Sequence, residues 1–193
     1  MVVAALPLTP LLLLGLARVP RWRVPPEHSL QPFASCWLVA VLLLFTAAAT
    51  KLPSYWLPAT PAAALLIALA PTSRDRLQRW AWTASIGLVA CLAIIFWMAP
   101  VWVVWIRDPE MPSLASDLLG SGLVWRAALW FSLAAVLSSL VLFQRKSAAM
   151  GLLSMQIPLL LFHVSALIPI AELADQLRQV PVRQVADQMN KQH

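Results

Sequence analysis

The sequence predicts an all-α integral membrane protein with about six transmembrane helices, and three observations carry that prediction. Of the 193 residues, 61% are hydrophobic and 11% are charged, with a mean hydropathy of +0.77. No soluble fold of this length needs that composition. The charges fall in short stretches between apolar runs, as they must if the runs lie in hydrocarbon, where a charge is costly. The longest run carries Trp80 and Trp82 at one end and Trp97, Trp102 and Trp105 toward the other, an aromatic belt for each interface.

The spans follow in order. Residues 2–17 are the first apolar run, about 24 Å long as a helix. A signal peptide has a basic stretch before its apolar core. Here nothing basic precedes the run, and Arg18, Arg21 and Arg23 follow it. It reads as a spanning helix that has lost some of its start. A basic, proline-rich loop leads to the second span, 33–49. The third span, 59–70, ends at a basic loop with Arg74, Arg76 and Arg79 against Asp75. The fourth, 80–106, is the longest, and Pro100 should kink its last turns. A polar connection with Asp108, Glu110 and Asp117 precedes the fifth span, 123–143, which has Arg126 near its start. Gln144-Arg145-Lys146 is a tight basic turn before the sixth span, 148–170. That span contains Gln156, Pro158 and His163. Gln156 and His163 are seven apart and share a face, so hydrogen bonding to other helices is their expected use. Residues 172–193 are polar, with two amphipathic helical pieces expected to break at Pro181.

Charge orients the spans. One set of alternate loops holds Arg18, Arg21, Arg23, Arg74, Arg76, Arg79, Arg145 and Lys146 against Glu27 and Asp75. The other side holds Lys51, Arg107, Arg126, Arg178, Arg183 and Lys191 against six acids, Asp108, Glu110, Asp117, Glu172, Asp175 and Asp187. The excess of short-loop basic residues belongs on the cytoplasmic side. Both termini and the Lys51 loop are then extracytoplasmic, and the expected location is the inner membrane. The formal net charge of +6 is therefore a topology signal, and no nucleic-acid partner is expected. Cys36 and Cys91 lie in apolar runs and read as small buried hydrophobes, with neither a disulfide nor metal-ligand spacing. The chain has no phosphate loop, dinucleotide fingerprint, HExxH or CxxC, and no cofactor or metal site is identifiable.

The most informative stretch is Thr50-Lys51-Leu52-Pro53-Ser54-Tyr55-Trp56-Leu57-Pro58-Ala59-Thr60-Pro61. Its prolines remove backbone donors and push the residues before them out of helical geometry. It is a short, stiff link with an ammonium and a phenol four residues apart at a membrane surface. Two uses fit: an interfacial anchor, since Lys, Tyr and Trp all favour the headgroup zone, or a phosphate site. The pattern Lys51-Leu52-Pro53-x-Tyr55-x-Leu57-Pro58-x-x-Pro61 before an Ala/Leu-rich helix resembles the signature loop of polyprenyl-phosphate-dependent membrane glycosyltransferases. These are the aminoarabinose transferases and their protein O-mannosyltransferase relatives, of GT-C architecture. The resemblance covers about a dozen residues and looser agreement of helix order beyond them.

That resemblance implies a GT-C-like C-terminal membrane portion. It implies sugar transfer from a polyprenyl-phosphate donor to an extracytoplasmic acceptor, with Lys51 and Tyr55 on the donor phosphate. Arg126 is either a second phosphate contact or a cation snorkelling to headgroups. In the family the catalytic carboxylate belongs to an outer loop well before the Lys-Leu-Pro loop. That loop is expected to be absent here, so no catalytic residue is assigned, and Asp108 and Glu110 read as solvated loop residues. Expected partners are the lipid-linked sugar donor, membrane lipids and a polypeptide carrying the N-terminal spans. The tail from Glu172 resembles the lead-in to a soluble extracytoplasmic domain. The alternative is a non-catalytic multi-pass subunit or lipid-interacting scaffold. A transporter is a weaker third reading, because no internal repeat accompanies the proline-broken helices.

Overall fold

A computed structural model of the chain describes residues 6–17, 30–47, 57–69, 76–106, 109, 111–144 and 147–191, the side chains of 148 and 180–191 excepted. Every regular element among these residues is helical. A 3-10 turn, Leu6–Leu8, leads into α1 (Thr9–Ala17), followed by α2 (Leu30–Ala47), α3 (Thr60–Leu69) and α4 (Arg76–Trp97). Then come α5 (Ala99–Trp102), a 3-10 turn Val103–Trp105, α6 (Leu114–Gly120) and α7 (Leu123–Phe143). Last are α8 (Ala148–Phe162), a π-helical turn His163–Leu167 and α9 (Ile168–Lys191).

Four stretches are long and apolar enough to cross a membrane: Leu30–Ala47, Arg76–Trp97, Leu123–Phe143 and Ala149–Gln179. The protein is an all-α membrane protein, and its fifth expected span matches α7 residue for residue. The first and third expected spans hold shorter apolar helices, Leu6–Ala17 and Leu57–Leu69. Their α-helical parts, nine and ten residues, rise only about 14–15 Å against a hydrocarbon core of about 30 Å. Proline sets the start of α3. Pro58 sits in the preceding 3-10 turn and Pro61 in the first helical turn, where a missing N–H leaves no carbonyl unpaired.

The chain divides into two compact units, Met1–Leu88 and Val89–His193. In the first, α3 packs on both α1 and α2. Its core is Ala34 and Leu38 with Ala59, Ala62 and Leu66. Small residues let the backbones approach, which is how helices associate where surrounding lipid is as apolar as leucine. Gly15 is the extreme case, because a Cβ there would lie 2.5 Å from the Leu66 carbonyl oxygen. The Gln31 amide donates to the Gly15 carbonyl at 2.8 Å and ties α2 to the end of α1.

In the second unit, α7 and α8 form a helical hairpin. Ser147 caps α8 by accepting from the Met150 N–H. Phe131 is fully buried, with the Phe96 ring stacked at 5.3 Å and the Phe162 ring tilted at 4.9 Å. The Trp97 indole donates to Ser132 at 3.1 Å, and the Trp130 indole to Ser165 at 2.6 Å. Ser138 and Ser154 meet at 3.3 Å across the hairpin.

The structure revises four expectations. The 80–106 span is divided after Trp97, where Pro100 was expected only to kink its last turns. That proline supplies no N–H to the turn before it, and just beyond it the Trp102 indole donates to the Ile95 carbonyl at 2.6 Å. Pro181 does not break the tail, because α9 runs through it to Lys191. A proline removes one backbone bond, and a helix already propagating can absorb that with a bend. Cys36 and Cys91 are free and exposed, not buried, as outward positions on lipid-compatible helices can be. His163 does not bond to a neighbouring helix. Its Nδ1 lies 2.9 Å from the Leu159 carbonyl one turn earlier, so the N–H donates within its own helix, and the described side-chain bonds between helices of the second unit come from Trp and Ser.

Candidate functional site

Lys51 and Tyr55 lie outside the described residues, as do Asp108 and Glu110. The frame that holds the Lys51 loop is described on both sides. Helix α2 ends at Ala47, and the chain resumes at Leu57 in a 3-10 turn leading into α3. The Thr60 hydroxyl donates to the Leu57 carbonyl, which closes that turn onto the helix start. Ala59 points into the core, while Leu57, Pro58 and Pro61 are exposed. The described half of the motif therefore anchors the loop exit through one small buried residue and leaves its prolines outward. Because α3 is fastened to α1 at Gly15 and to α2 through Ala34 and Leu38, the nine residues 48–56 connect two helices that pack together.

Arg126 is the one expected site residue whose structure is described. A tight corner positions it. Ser121 donates its N–H to the Asp117 carbonyl at 2.8 Å and its hydroxyl to the Leu118 carbonyl at 2.9 Å. Gly122 then takes φ +69°, a left-handed conformation that costs a glycine little. The Arg126 N–H donates to the Gly122 carbonyl at 3.1 Å, closing the first turn of α7. Leu123, Val124, Ala127, Ala128 and Phe131 form the buried face of that helix. Arg126 is on the other face, at the head of an exposed stripe that continues through Leu129, Leu133, Val136 and Leu140. Its side chain thus stands at one end of an apolar outward surface, where a long stem can lie along apolar groups and keep the charge in polar surroundings.

Sequence reasoning missed a groove of about 500 Å³ in the second unit, lined by Val104, Ile106, Pro109, Pro112, Ala115 and Leu119. Its floor is α6, whose Leu118 packs with Ala99, Val103 and Val124. The usable signal was Pro109 and Pro112 ahead of a seven-residue helix, a corner in which prolines leave apolar walls unfilled. The Ser116 hydroxyl in this groove donates to the Ser113 carbonyl at 2.8 Å, so it is already satisfied. Among the described residues, no group of three or more His, Cys, Asp or Glu comes together to hold a metal.

A comparison with curated proteins bears on the resemblance of the Lys51 loop pattern. The chain is similar to a bacterial glycosyltransferase. The relative is the undecaprenyl phosphate-α-4-amino-4-deoxy-L-arabinose arabinosyl transferase of Erwinia tasmaniensis, 33% identical over 114 residues. The match takes in 55% of this chain and 21% of the relative, so the chain spans about a fifth of that enzyme's length. No protein-family profile matches the chain, and no solved structure matches it significantly. The similarity to that transferase thus covers 114 residues, against the dozen of the loop pattern.

Proposed function

We propose that the chain is membrane-embedded machinery of a glycosyltransferase of the inner membrane, which transfers a sugar from a polyprenyl-phosphate donor to an extracytoplasmic acceptor. One observation carries this reading. The loop pattern from Lys51 to Pro61 and the 33% identity over 114 residues point to the same enzymes, whose donor is a sugar on a lipid phosphate. In such a transfer the bond from the anomeric carbon to the phosphate oxygen breaks, and negative charge builds on the departing lipid phosphate. The Lys51 ammonium supplies the opposing charge and the Tyr55 hydroxyl a hydrogen bond, both fixed before the reaction by a proline-stiffened loop. Arg126, which the charge pattern assigns to the extracytoplasmic side, is a separate candidate for a lipid-phosphate contact. No residue here is assigned to activate the acceptor. A carboxylate from the rest of a complete enzyme, or from a partner polypeptide, would do that.

The test is donor-lipid binding. The chain, purified in mild detergent, is titrated with undecaprenyl phosphate and examined by native mass spectrometry. Wild type should retain the lipid, and Lys51→Ala combined with Tyr55→Phe should lose it. Equal retention by the double variant would sink the proposal and leave the loop as an interfacial anchor of a non-catalytic subunit.

A further inference from the structure

We propose that the first turn of α4 is a binding surface for anionic glycerophospholipid headgroups. Arg76 and Arg79 are both exposed. Three apart on a helix, they stand on one flank. No acidic residue lies in this first turn, and among the described residues neither guanidinium has an ion pair or side-chain hydrogen bond. With Arg74 and Asp75 just before them in the sequence, residues 74–79 carry three cations and one acid, a net positive charge at the end of a helix whose own dipole is positive, which favours an anion there.

The neighbours say which anion. Trp80 is 68% exposed and Leu77 55% exposed, and both belong to the same turn. Below them α4 continues as a candidate membrane span. An outward indole beside two guanidiniums marks the boundary between hydrocarbon and headgroups. Thr83 is exposed and its hydroxyl folds back onto the Arg79 and Trp80 carbonyls, so it offers the lipid no competing donor. A free phosphate ion would find the cations but make no use of Trp80 and Leu77. A zwitterionic lipid brings its own ammonium, which already offsets its phosphate. A lipid with an uncompensated phosphate, of the phosphatidylglycerol type, uses every group present. Its phosphate meets the arginines, its glycerol the indole rim, and its chains the apolar flank.

Native mass spectrometry of the detergent-purified chain tests this, with phosphatidylglycerol and phosphatidylcholine of matched chains as probes. Wild type should prefer phosphatidylglycerol. Each arginine near a membrane surface contributes about a fivefold preference for anionic lipid, so Arg76→Gln with Arg79→Gln should lower it roughly 25-fold. Arg76→Lys with Arg79→Lys keeps the charge and should keep most of the preference. Equal retention of both lipids by wild type, or an undiminished preference in the glutamine variant, overturns the proposal. A photoactivatable phosphatidylglycerol gives a readout on the unmutated chain. Crosslinks should map to residues 76–80, and crosslinks found only elsewhere overturn it as well. Undecaprenyl phosphate retention should be set by Lys51 and Tyr55 and not by these arginines, which keeps the two sites distinguishable.

Discussion

Gly15→Ala should loosen the first unit. An ideal Cβ at position 15 would stand 2.5 Å from the Leu66 carbonyl oxygen, 3.0 Å from its carbonyl carbon and 3.2 Å from its Cβ. The closest atoms are backbone, so no side-chain rotation relieves the contact. α1 and α3 must separate by about half an ångström even to reach the tightest contact real Cβ atoms make. Overpacking of this kind costs about 1–3 kcal/mol, and alanine's better helix propensity returns at most about 1 kcal/mol. The net expectation, with the full propensity gain returned, is a loss of up to about 2 kcal/mol. Gly87→Ala is the control. Gly87 lies inside α4 with nothing within 4 Å of an added Cβ, so alanine there should be neutral or stabilising by up to about 1 kcal/mol. Far-UV circular dichroism during thermal or SDS unfolding, in one detergent, compares the two. The separation would also shift α3, whose start holds the exit of the Lys51 loop, so Gly15→Ala should bind less undecaprenyl phosphate while Gly87→Ala binds as wild type. Equal stability of the two variants would refute the close approach of α1 and α3.

Three further outcomes follow from the second unit. Phe131→Ala removes a fully buried ring held between Phe96 and Phe162, and should cost about 3–5 kcal/mol by the same unfolding assay. Trp130→Phe deletes the 2.6 Å bond to Ser165 and should cost about 0.6 kcal/mol, at most about 1.7 kcal/mol. Combining it with Ser165→Ala should add little, as expected of partners in one bond. Arg126→Gln should leave stability within about 0.5 kcal/mol, because Arg126 is exposed, yet lower undecaprenyl phosphate retention about fivefold.

Much of the fold was legible because the bilayer leaves so few solutions. Spanning backbone must satisfy its own polar groups, so an apolar run of sufficient length is a helix. That is why 123–143 was readable to the residue, bounded by Gly122 on one side and Gln144-Arg145-Lys146 on the other. The errors came where composition does not determine packing. Hydropathy does not say which way a small residue points, and Cys36 and Cys91 turned out to be exposed. Nor does it say whether a proline ends a helix. Pro100 coincides with a division because the chain turns at Met98, directly before α5, whereas Pro158 and Pro181 are carried inside continuous helices. The π-helical turn at His163–Leu167 was invisible for a related reason. It widens the helix just before Pro169, with the Ile168 N–H reaching back five residues to His163, a choice of backbone bonding beside a residue that has no N–H of its own.

For function the balance reverses. The fold alone would have fitted a scaffold, a subunit or a transporter equally well, since helices packed by Ala, Gly and Ser carry no chemistry. What separates these readings is a handful of groups that membranes normally exclude. Each unbalanced cation in or beside a span must face water, headgroup phosphate or a bound anion. Arg126 heads an apolar outward stripe, Arg76 and Arg79 share an exposed turn with Trp80, and Lys51 lies in a proline-stiffened link whose exit is fastened into a core of small residues. Its prolines are what set Lys51 apart from the Arg76 and Arg79 pair. A snorkelling arginine gains from freedom to follow the lipid, whereas a leaving-group phosphate is stabilised best by a charge that does not move during the reaction. Under the proposed function the three prolines and the buried Ala59 serve to hold the Lys51 ammonium still, and the lipid titration of Lys51→Ala with Tyr55→Phe separates that role from an anchor's.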